Sequence, residues 1–334
     1  MQTGIYTGLA LTAFAANSII CRLALGGSAI DAGSFSAIRL ASGAAALRLI
    51  LWFRADGRAQ PGGSWISAGS LFLYAATFSF AYLDLSAGTG ALILFGSVQA
   101  SMILASFWAG DRPDAREWAG MLLAVCGLGY LASPGLAAPS LSGAILMAIA
   151  GGAWAMYSLR GRGNADPLRD TAGNFVRTLP LTAGLGVLAL QDSKISAEGV
   201  LLAVVSGALT SGVGYVLWYA ALRGLSATRA AVVQLCVPVL AAGGGVAFLS
   251  EAISTRLVLA AALILGGVGL ALRGREKRRQ GERCSVSPPG RPARWRGSVA
   301  VGLTKVRQPR PAAVCEARNL RPGQGGDGPR FRLK

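Results

Sequence analysis

Apolar residues recur along this chain in long, nearly unbroken runs, not in the alternating or one-faced patterns of a soluble domain. A bilayer core needs about 20 mostly apolar residues per helix. Ten runs fit that ruler, at 3–21, 33–53, 65–84, 88–108 and 116–131, then 139–159, 170–190, 198–222, 227–249 and 256–272. Glycine, proline and charge mark the connections, as in Arg54-Ala-Asp-Gly-Arg58, Gly110-Asp-Arg-Pro113, Ser133-Pro-Gly135 and Arg160-Gly-Arg-Gly163. Ala13-Phe-Ala15 resembles a signal-cleavage site, but Met1-Gln-Thr-Gly4 lacks the positive charge such a leader needs. The first run therefore reads as a retained helix. The pattern predicts an all-α integral membrane protein of ten transmembrane helices.

The runs repeat. Shifted by about 140 residues, Ala81 meets Ala221, Leu85-Ser-Ala87 meets Leu225-Ser-Ala227, and Asp111 meets Glu251. Arg116 meets Arg256, and Gly127-x-Gly129 meets Gly267-x-Gly269; a slightly shorter shift pairs Arg22 with Arg160 and Arg39 with Arg177. Residues 1–132 and 139–272 then form two five-helix copies. An odd helix number makes the copies enter the membrane in opposite directions. Inverted repeats of this kind are the architecture of many secondary transporters, with the substrate site near the midplane between halves.

Composition agrees with a lipid solvent. The chain is 53% hydrophobic and 14% charged with mean hydropathy +0.50, where soluble domains are about a quarter charged. The net charge of +17 lies mostly after Leu272, in a Pro-, Gly- and Arg-rich stretch, residues 273–334, that reads as a disordered basic cytoplasmic tail. Its Arg273-x-Arg-x-Lys-Arg-Arg279 could contact anionic lipid at about 1 kcal/mol per basic residue, or act only as a positive-inside anchor. No nucleic-acid partner is expected. Arg54, Arg58, Arg112, Arg116, Arg160, Arg162, Arg169, Arg223 and Arg229 crowd alternate connections, which places both termini in the cytoplasm of a bacterial inner membrane protein.

Catalytic signatures do not appear. With 5 cysteines and no histidine there is neither a Ser-His-Asp triad nor a zinc-protease helix. Gly297-x-x-x-x-Gly302 continues as Leu-Thr-Lys and is no phosphate loop. No metal or cofactor is implied, and the chain is not expected to be an enzyme.

Polar side chains inside membrane helices usually face the bundle interior. Arg39 and Arg177 have two readings: attraction of an anionic substrate group or alternating gating bonds, against snorkelling or a bond to a backbone carbonyl. Asn17, Gln99, Asn174 and Gln234 either line a cavity or join helices at about 0.6–2 kcal/mol each. Trp154, Tyr157, Tyr215, Trp218 and Tyr219 either wall that cavity or belong to the interfacial belt, which Trp52, Trp65, Trp108 and Trp118 fit by position. Pro238 frees the carbonyl near Gln234 and can kink its helix. Asp84 and Glu251 read as solvated helix ends.

Tyr215-x-x-Trp-Tyr-Ala-Ala-Leu222, Ala230-Ala, Gln234-Leu-x-x-Pro-Val239, Glu251 and Gly266-Gly-x-Gly269 resemble the second half of an EamA-type transporter of the drug/metabolite transporter superfamily. The first half is similar through Asn17, Phe35-x-x-x-Arg39, Ala81, Ser86-Ala87 and Gly110-Asp-Arg-Pro113. The likeness covers about residues 1–273, leaving the tail aside. It departs at Gly96-Ser-Val-Gln99, where many relatives carry proline, and at Asp111, where Glu is usual. The resemblance implies ten helices in two inverted repeats around a cavity that opens to alternate sides. It also implies export of small metabolites or drugs, in some members with protons. The competing reading is a multi-pass membrane enzyme or scaffold acting at the lipid interface.

Overall fold

A computed structural model of the protein describes residues 2–54, 62–108, 115–133, 138–161, 164, 166–189, 194–225 and 227–285. Side-chain surroundings of 106, 132, 227–229, 231 and 274–285 are excepted. Gly110–Pro113, Arg58, Arg162, and the tail from 286 onward lie outside the described residues. So do the surroundings of Arg229.

The described residues are helical apart from turns and one isolated bridge, Ile30 with Ile195. The helices are α1 Gln2–Gly26, α2 Ala32–Phe53, α3 Trp65–Ala81, α4 Ala87–Trp108, α5 Ala115–Ala132, α6 Leu141–Arg160 and α7 Pro167–Ala189. Next come α8 Ala197–Val205, a π-helical stretch Ser206–Val213, and α9 Gly214–Leu222, which run on as one rod. α10 Ala227–Gln234, α11 Cys236–Leu249 and α12 Thr255–Ser285 complete the order. Among the described residues these helices form ten rods. Seven of them are long and apolar enough to cross a bilayer; α3 is an apolar helix of 17 residues.

Local chemistry sets the starts. Asp31, Ser64, Ser140 and Ser196 each accept a backbone N–H from the first turn of the helix that follows, satisfying donors that no intrahelical carbonyl can reach. At the other extreme, α12 continues past Leu272, where the apolar run stops. Arg273-Gly-Arg-Glu-Lys-Arg-Arg-Gln is rich in straight-chain helix formers, which prolong a helix already nucleated. Arg22, read from the sequence as a loop residue, lies within α1 for the same reason.

Residues 1–276 pack as one unit; of the second unit, 277–334, only the end of α12 is described. Within the first unit the most extensive packing joins α3 to α6, α2 to α7 and α4 to α6. α11 packs on α4 and α1, and α1 packs on α9. Rings and small residues fill the centre: Phe14, Phe35, Tyr74, Phe78, Tyr157 and Phe175 are all buried. Trp52, Trp65, Trp108 and Trp118 are exposed near helix ends, as an interfacial belt requires.

Two glycines let α5 and α12 touch. A Cβ on Gly267 would strike the Gly120 carbonyl and the Ala124 backbone, and one on Gly120 would strike Gly267 and Ala271. Neighbouring Gly266 and Gly269 face open space. Overpacking costs about 1–3 kcal/mol, so Gly267→Leu should lower the detergent unfolding midpoint while Gly266→Leu leaves it near the parent value. Equal midpoints for the two variants would show that this close approach does not hold the helices together.

Candidate functional site

The polar centre is built by the π-helical stretch. Its sequence, Ser206-Gly-Ala-Leu-Thr-Ser-Gly-Val213, places three hydroxyls in an apolar helix. The widened turn aims them at α1 and α2. Ser206 Oγ and Thr210 Oγ1 donate to Asn17 Oδ1 at 2.7 and 3.0 Å, while Arg39 Nε donates to Ser211 Oγ at 3.1 Å. Gly207 makes the approach possible, since a Cβ there would collide with the Arg39 carbonyl and Ser42. Gly43 does the same against Phe175 and Gly207. π-helical turns recur at functional sites, and this one was not legible as such in the sequence; its only outward mark is the Ser-Gly…Thr-Ser-Gly interruption of an apolar run.

Arg39 is 1% exposed. Its Nη2 donates to the Tyr74 hydroxyl at 3.4 Å, and its guanidinium lies 5.4 and 5.0 Å from the ring centres of Tyr74 and Phe78. Trp154 stands at the hub of a ring cluster, with Tyr215 at 4.8 Å, Tyr74 at 5.0 Å, Tyr157 at 5.7 Å and Phe14 at 5.9 Å between centroids. Trp218 meets Phe14 at 5.7 Å. Offset and edge-on pairs of this sort add about 0.5–1.5 kcal/mol beyond their buried area.

Among these rings remains a space of about 10 Å³, lined by Phe14, Asn17, Ser18, Tyr74, Trp154, Thr210 and Tyr215 among others. That is room for roughly one water. The centre is shut in this conformation. Asn17, Trp154 and Tyr215 thus line one space, with Arg39 immediately behind Tyr74 and Phe78, and Trp218 behind Phe14.

A second, polar space of about 230 Å³ lies at the bundle end formed by Gly63, Ser64, Arg160, Asn164, Asp170, Asn174 and Tyr219. It reaches the surface at the exposed Arg160 and Asn164. Tyr157 borders it and also touches Trp154, so one pair of rings separates it from the centre.

The remaining candidates are scattered. Asn174 Oδ1 accepts the Ser64 N–H at 2.9 Å at that outer space. Arg177 Nη1 donates to the Gly62 carbonyl at 2.5 Å and to the Gly173 carbonyl at 3.1 Å. Its equivalence with Arg39 is broken: one guanidinium bonds two backbone carbonyls at a loop, the other sits among rings. Gln99 and Gln234 are buried on α4 and α10 but line neither space. Pro238 is the third residue of α11, and the helix is interrupted just before it, at Leu235 next to Gln234. The residues the sequence reading passed over here are Phe14, Tyr74, Ser206, Thr210 and Ser211.

Glu251 corrects an expectation. It is not simply a solvated helix end. Both its carboxylate oxygens accept the Ala87 N–H at the start of α4, at 3.1 and 2.9 Å, and Arg22 Nε stands 3.5 Å away. Ser250, left-handed with φ 54°, turns the chain to make that contact. A carboxylate at a helix N-terminus is favoured by the dipole. Arg22 also donates to the Tyr82 and Leu83 carbonyls at 3.0 and 2.8 Å. One cluster therefore closes α1, α3, α4 and α11 at the end opposite the polar space. Asp84 accepts from Ser140 at 3.0 Å at an exposed position, in keeping with a solvated end.

Comparison with known proteins places this geometry. Residues 141–273 match the EamA-like transporter family. The uncharacterized protein PA1977 of Pseudomonas aeruginosa is 47% identical over 274 residues, which is 82% of this chain and 96% of that protein. One crystal structure of a protein superposes with a TM-score of 0.56 at 21% identity, over 80% of this chain and 97% of its own, and shows likeness of fold. The chain belongs to the EamA-like transporter family, and with it to the multi-pass membrane transporters of the drug/metabolite transporter superfamily.

Proposed function

We propose that this protein is a secondary transporter that exports small metabolites or drugs across the bacterial inner membrane by alternating access. Its machinery is two inverted five-helix halves, residues 1–132 and 139–272, and both termini face the cytoplasm. The observation that carries the reading is the shut, ring-walled centre between helices of both halves, with the π-helical stretch against it and a polar space at one end separated from it by Tyr157 and Trp154.

The packing supports inverted halves through its symmetry. Exchange of the halves turns α1 into α6, α2 into α7, α3 into the α8–α9 rod, and α4 into α10–α11. The contact of α3 with α6 then becomes that of α1 with α9, and α4 with α6 becomes α11 with α1; both pairs are present. α2 with α7 and α4 with α11 map onto themselves and are present too. Direction supports it as well. Gly62, beyond the end of α2, lies at Asp170 near the start of α7, while Ala29, before α2, lies at Gly199, beyond the end of α7. The two equivalent helices run antiparallel.

The two ends of the bundle act as closures in this reading. The Glu251–Arg22–Ala87 cluster seals one side, and the ring pair Tyr157–Trp154 stands between the centre and the other. Alternation requires each to open while the other holds. A proton-coupling role would need a titrating group in the centre, and the acids with described contacts sit at helix ends; coupling is the part of the proposal that the gradient test below decides.

Inside-out vesicles containing the protein should accumulate at least one solute from a panel of carboxylic acids, amino acids, nucleosides and cationic drugs, above vesicles without it. Imposing and collapsing a proton gradient reports coupling. Absence of flux for every class, with insertion verified, counts against transport. In the same assay Arg39→Met should abolish flux with little loss of thermal stability, since exchanging a buried charge for an apolar side chain is often neutral or stabilising. Arg177→Met should do the reverse, lowering stability by about 1 kcal/mol, since water can reach the freed Gly62 carbonyl, while keeping the KM of the protein that remains folded. Matching behaviour of the two variants would undo the distinction between them.

Opening can be tested separately. Thr3 meets Gly224 where α1 begins and α9 has ended. Thr3→Cys with Gly224→Cys, oxidised, should stop flux, and reduction should restore it. Full flux in the cross-linked protein would exclude a rearrangement of α1 against α9.

A further inference from the structure

Arg39 holds a full positive charge in the middle of the bundle, since guanidinium stays protonated in proteins. The groups that meet it are neutral: the Ser211 hydroxyl, the Tyr74 hydroxyl, and the faces of Tyr74 and Phe78. Among the described residues no carboxylate forms an ion pair with it. Its Nη1 is buried and has no hydrogen-bond partner among the described residues. A buried charge without a counterion is costly, and a fork of guanidinium donors matches a carboxylate better than any other common group. Arg39 is thus an anion site with no described anion of the protein's own.

The surroundings restrict what the anion belongs to. Tyr74 and Phe78, over which Arg39 lies, line the central space together with Phe14, Trp154 and Tyr215. These surfaces suit a flat or apolar body. The buried acceptor beside them, Asn17 Oδ1, already takes the Ser206 and Thr210 hydroxyl protons. Among the described residues, no Asp or Glu lines the space. An ammonium group there would meet ring faces and hydroxyls but no carboxylate among the described residues, beside the positive charge of Arg39, a combination that disfavours amines.

We propose that the substrates are aromatic or apolar monocarboxylates, bound with the carboxylate on Arg39 and the body among Phe14, Tyr74, Trp154 and Tyr215. The proposal rests on the transporter reading for its setting and goes beyond it in naming the substrate class. Binding requires the rings to part, because the shut space holds only about one water. The carboxylate takes the free Nη1 and displaces the long Tyr74 contact on Nη2, so that Tyr74 swings as the ligand enters.

The experiment is binding by calorimetry to the full-length protein in lipid nanodiscs, with three probes of one shape: 3-phenylpropanoate, 3-phenylpropanamide and 3-phenylpropylamine. The carboxylate should bind about tenfold or more tighter than the amide, and the amine weakest. Arg39→Met should bring the carboxylate down to the amide, and Arg39→Lys should keep part of the preference as a point charge without the fork. Equal binding of the three probes, preference for the amine, or no carboxylate binding overturns the proposal, and the ranking in the unaltered protein decides this even if Arg39→Met does not fold. An unchanged ranking in a folded Arg39→Met overturns it as well. Carboxylate binding without flux in vesicles would instead remove the transporter reading and leave the anion site standing.

Discussion

In an apolar solvent every polar group must find its partner inside the protein, and at the centre of this one a guanidinium, an amide and three hydroxyls are gathered within hydrogen-bond reach. Arg39 and Asn17 come from different helices and are both held by the π-helical stretch. The Arg39 bond forms only because α2 lies almost backbone to backbone with that stretch, which Gly43 and Gly207 permit. The small residues, the wide turn and the buried charge thus depend on one another. Substituting a larger side chain at Gly207 would remove the contact on which the other two rest.

The ends of the bundle solve the same problem differently. At one end Glu251 and Arg22 satisfy the N–H that opens α4 and the carbonyls that follow α3, with charge on both partners. At the other, Arg177, Asp170 and Asn174 hold the chain between α2 and α3 through its backbone. Most bonds at the ends are charge-assisted, and all lie where they can exchange partners with solvent when helices separate. Bonds at the centre cannot. A solute that enters must replace what it breaks, which is a demand the ends do not make.

Spans and family were legible because both rest on patterns that survive without contacts: run length, turn residues and the small-residue motifs of the second half. Behind the Ser64 cap the start of α3 fell at the expected Trp65, and behind Ser196 that of α8 moved by one residue to Ala197, while α7 began three residues early at Pro167. α12 outran its apolar run because charged residues also favour helix. The site was legible only in part. Trp154 stood out as a ring at midhelix, whereas Tyr215 was one ring of a set and Asn17 one amide of four. The amides the sequence favoured for the cavity, Gln99 and Gln234, line neither space. Tyr74, Ser206, Thr210 and Ser211 did not stand out, because hydroxyls and phenols are unremarkable in a membrane helix until a widened turn points them at one charge. Arg39 and Arg177 looked equivalent for the opposite reason. Their sequence offset matches, but the partner of each is set by a neighbouring segment, Ser211 for one and Gly62 for the other.

That broken equivalence bears on how an alternating device can be built from two similar halves. If both arginines faced the centre, exchange of the halves would leave the charge there unchanged, and the site would look alike from either side. Here the charge belongs to the first half and the hydroxyls to the second, since Arg39 is on α2 and Ser211 lies between α8 and α9. Any movement of one half against the other stretches that bond directly. A group that relieves Arg39 of its dependence on Ser211 weakens the link between halves, and its departure restores it. On the proposed function, ligand occupancy and the position of the halves meet at the Arg39–Ser211 bond, which is where the linkage that transport requires would act: occupancy must bias the equilibrium between two conformations, by as much as the ligand's affinities for them differ.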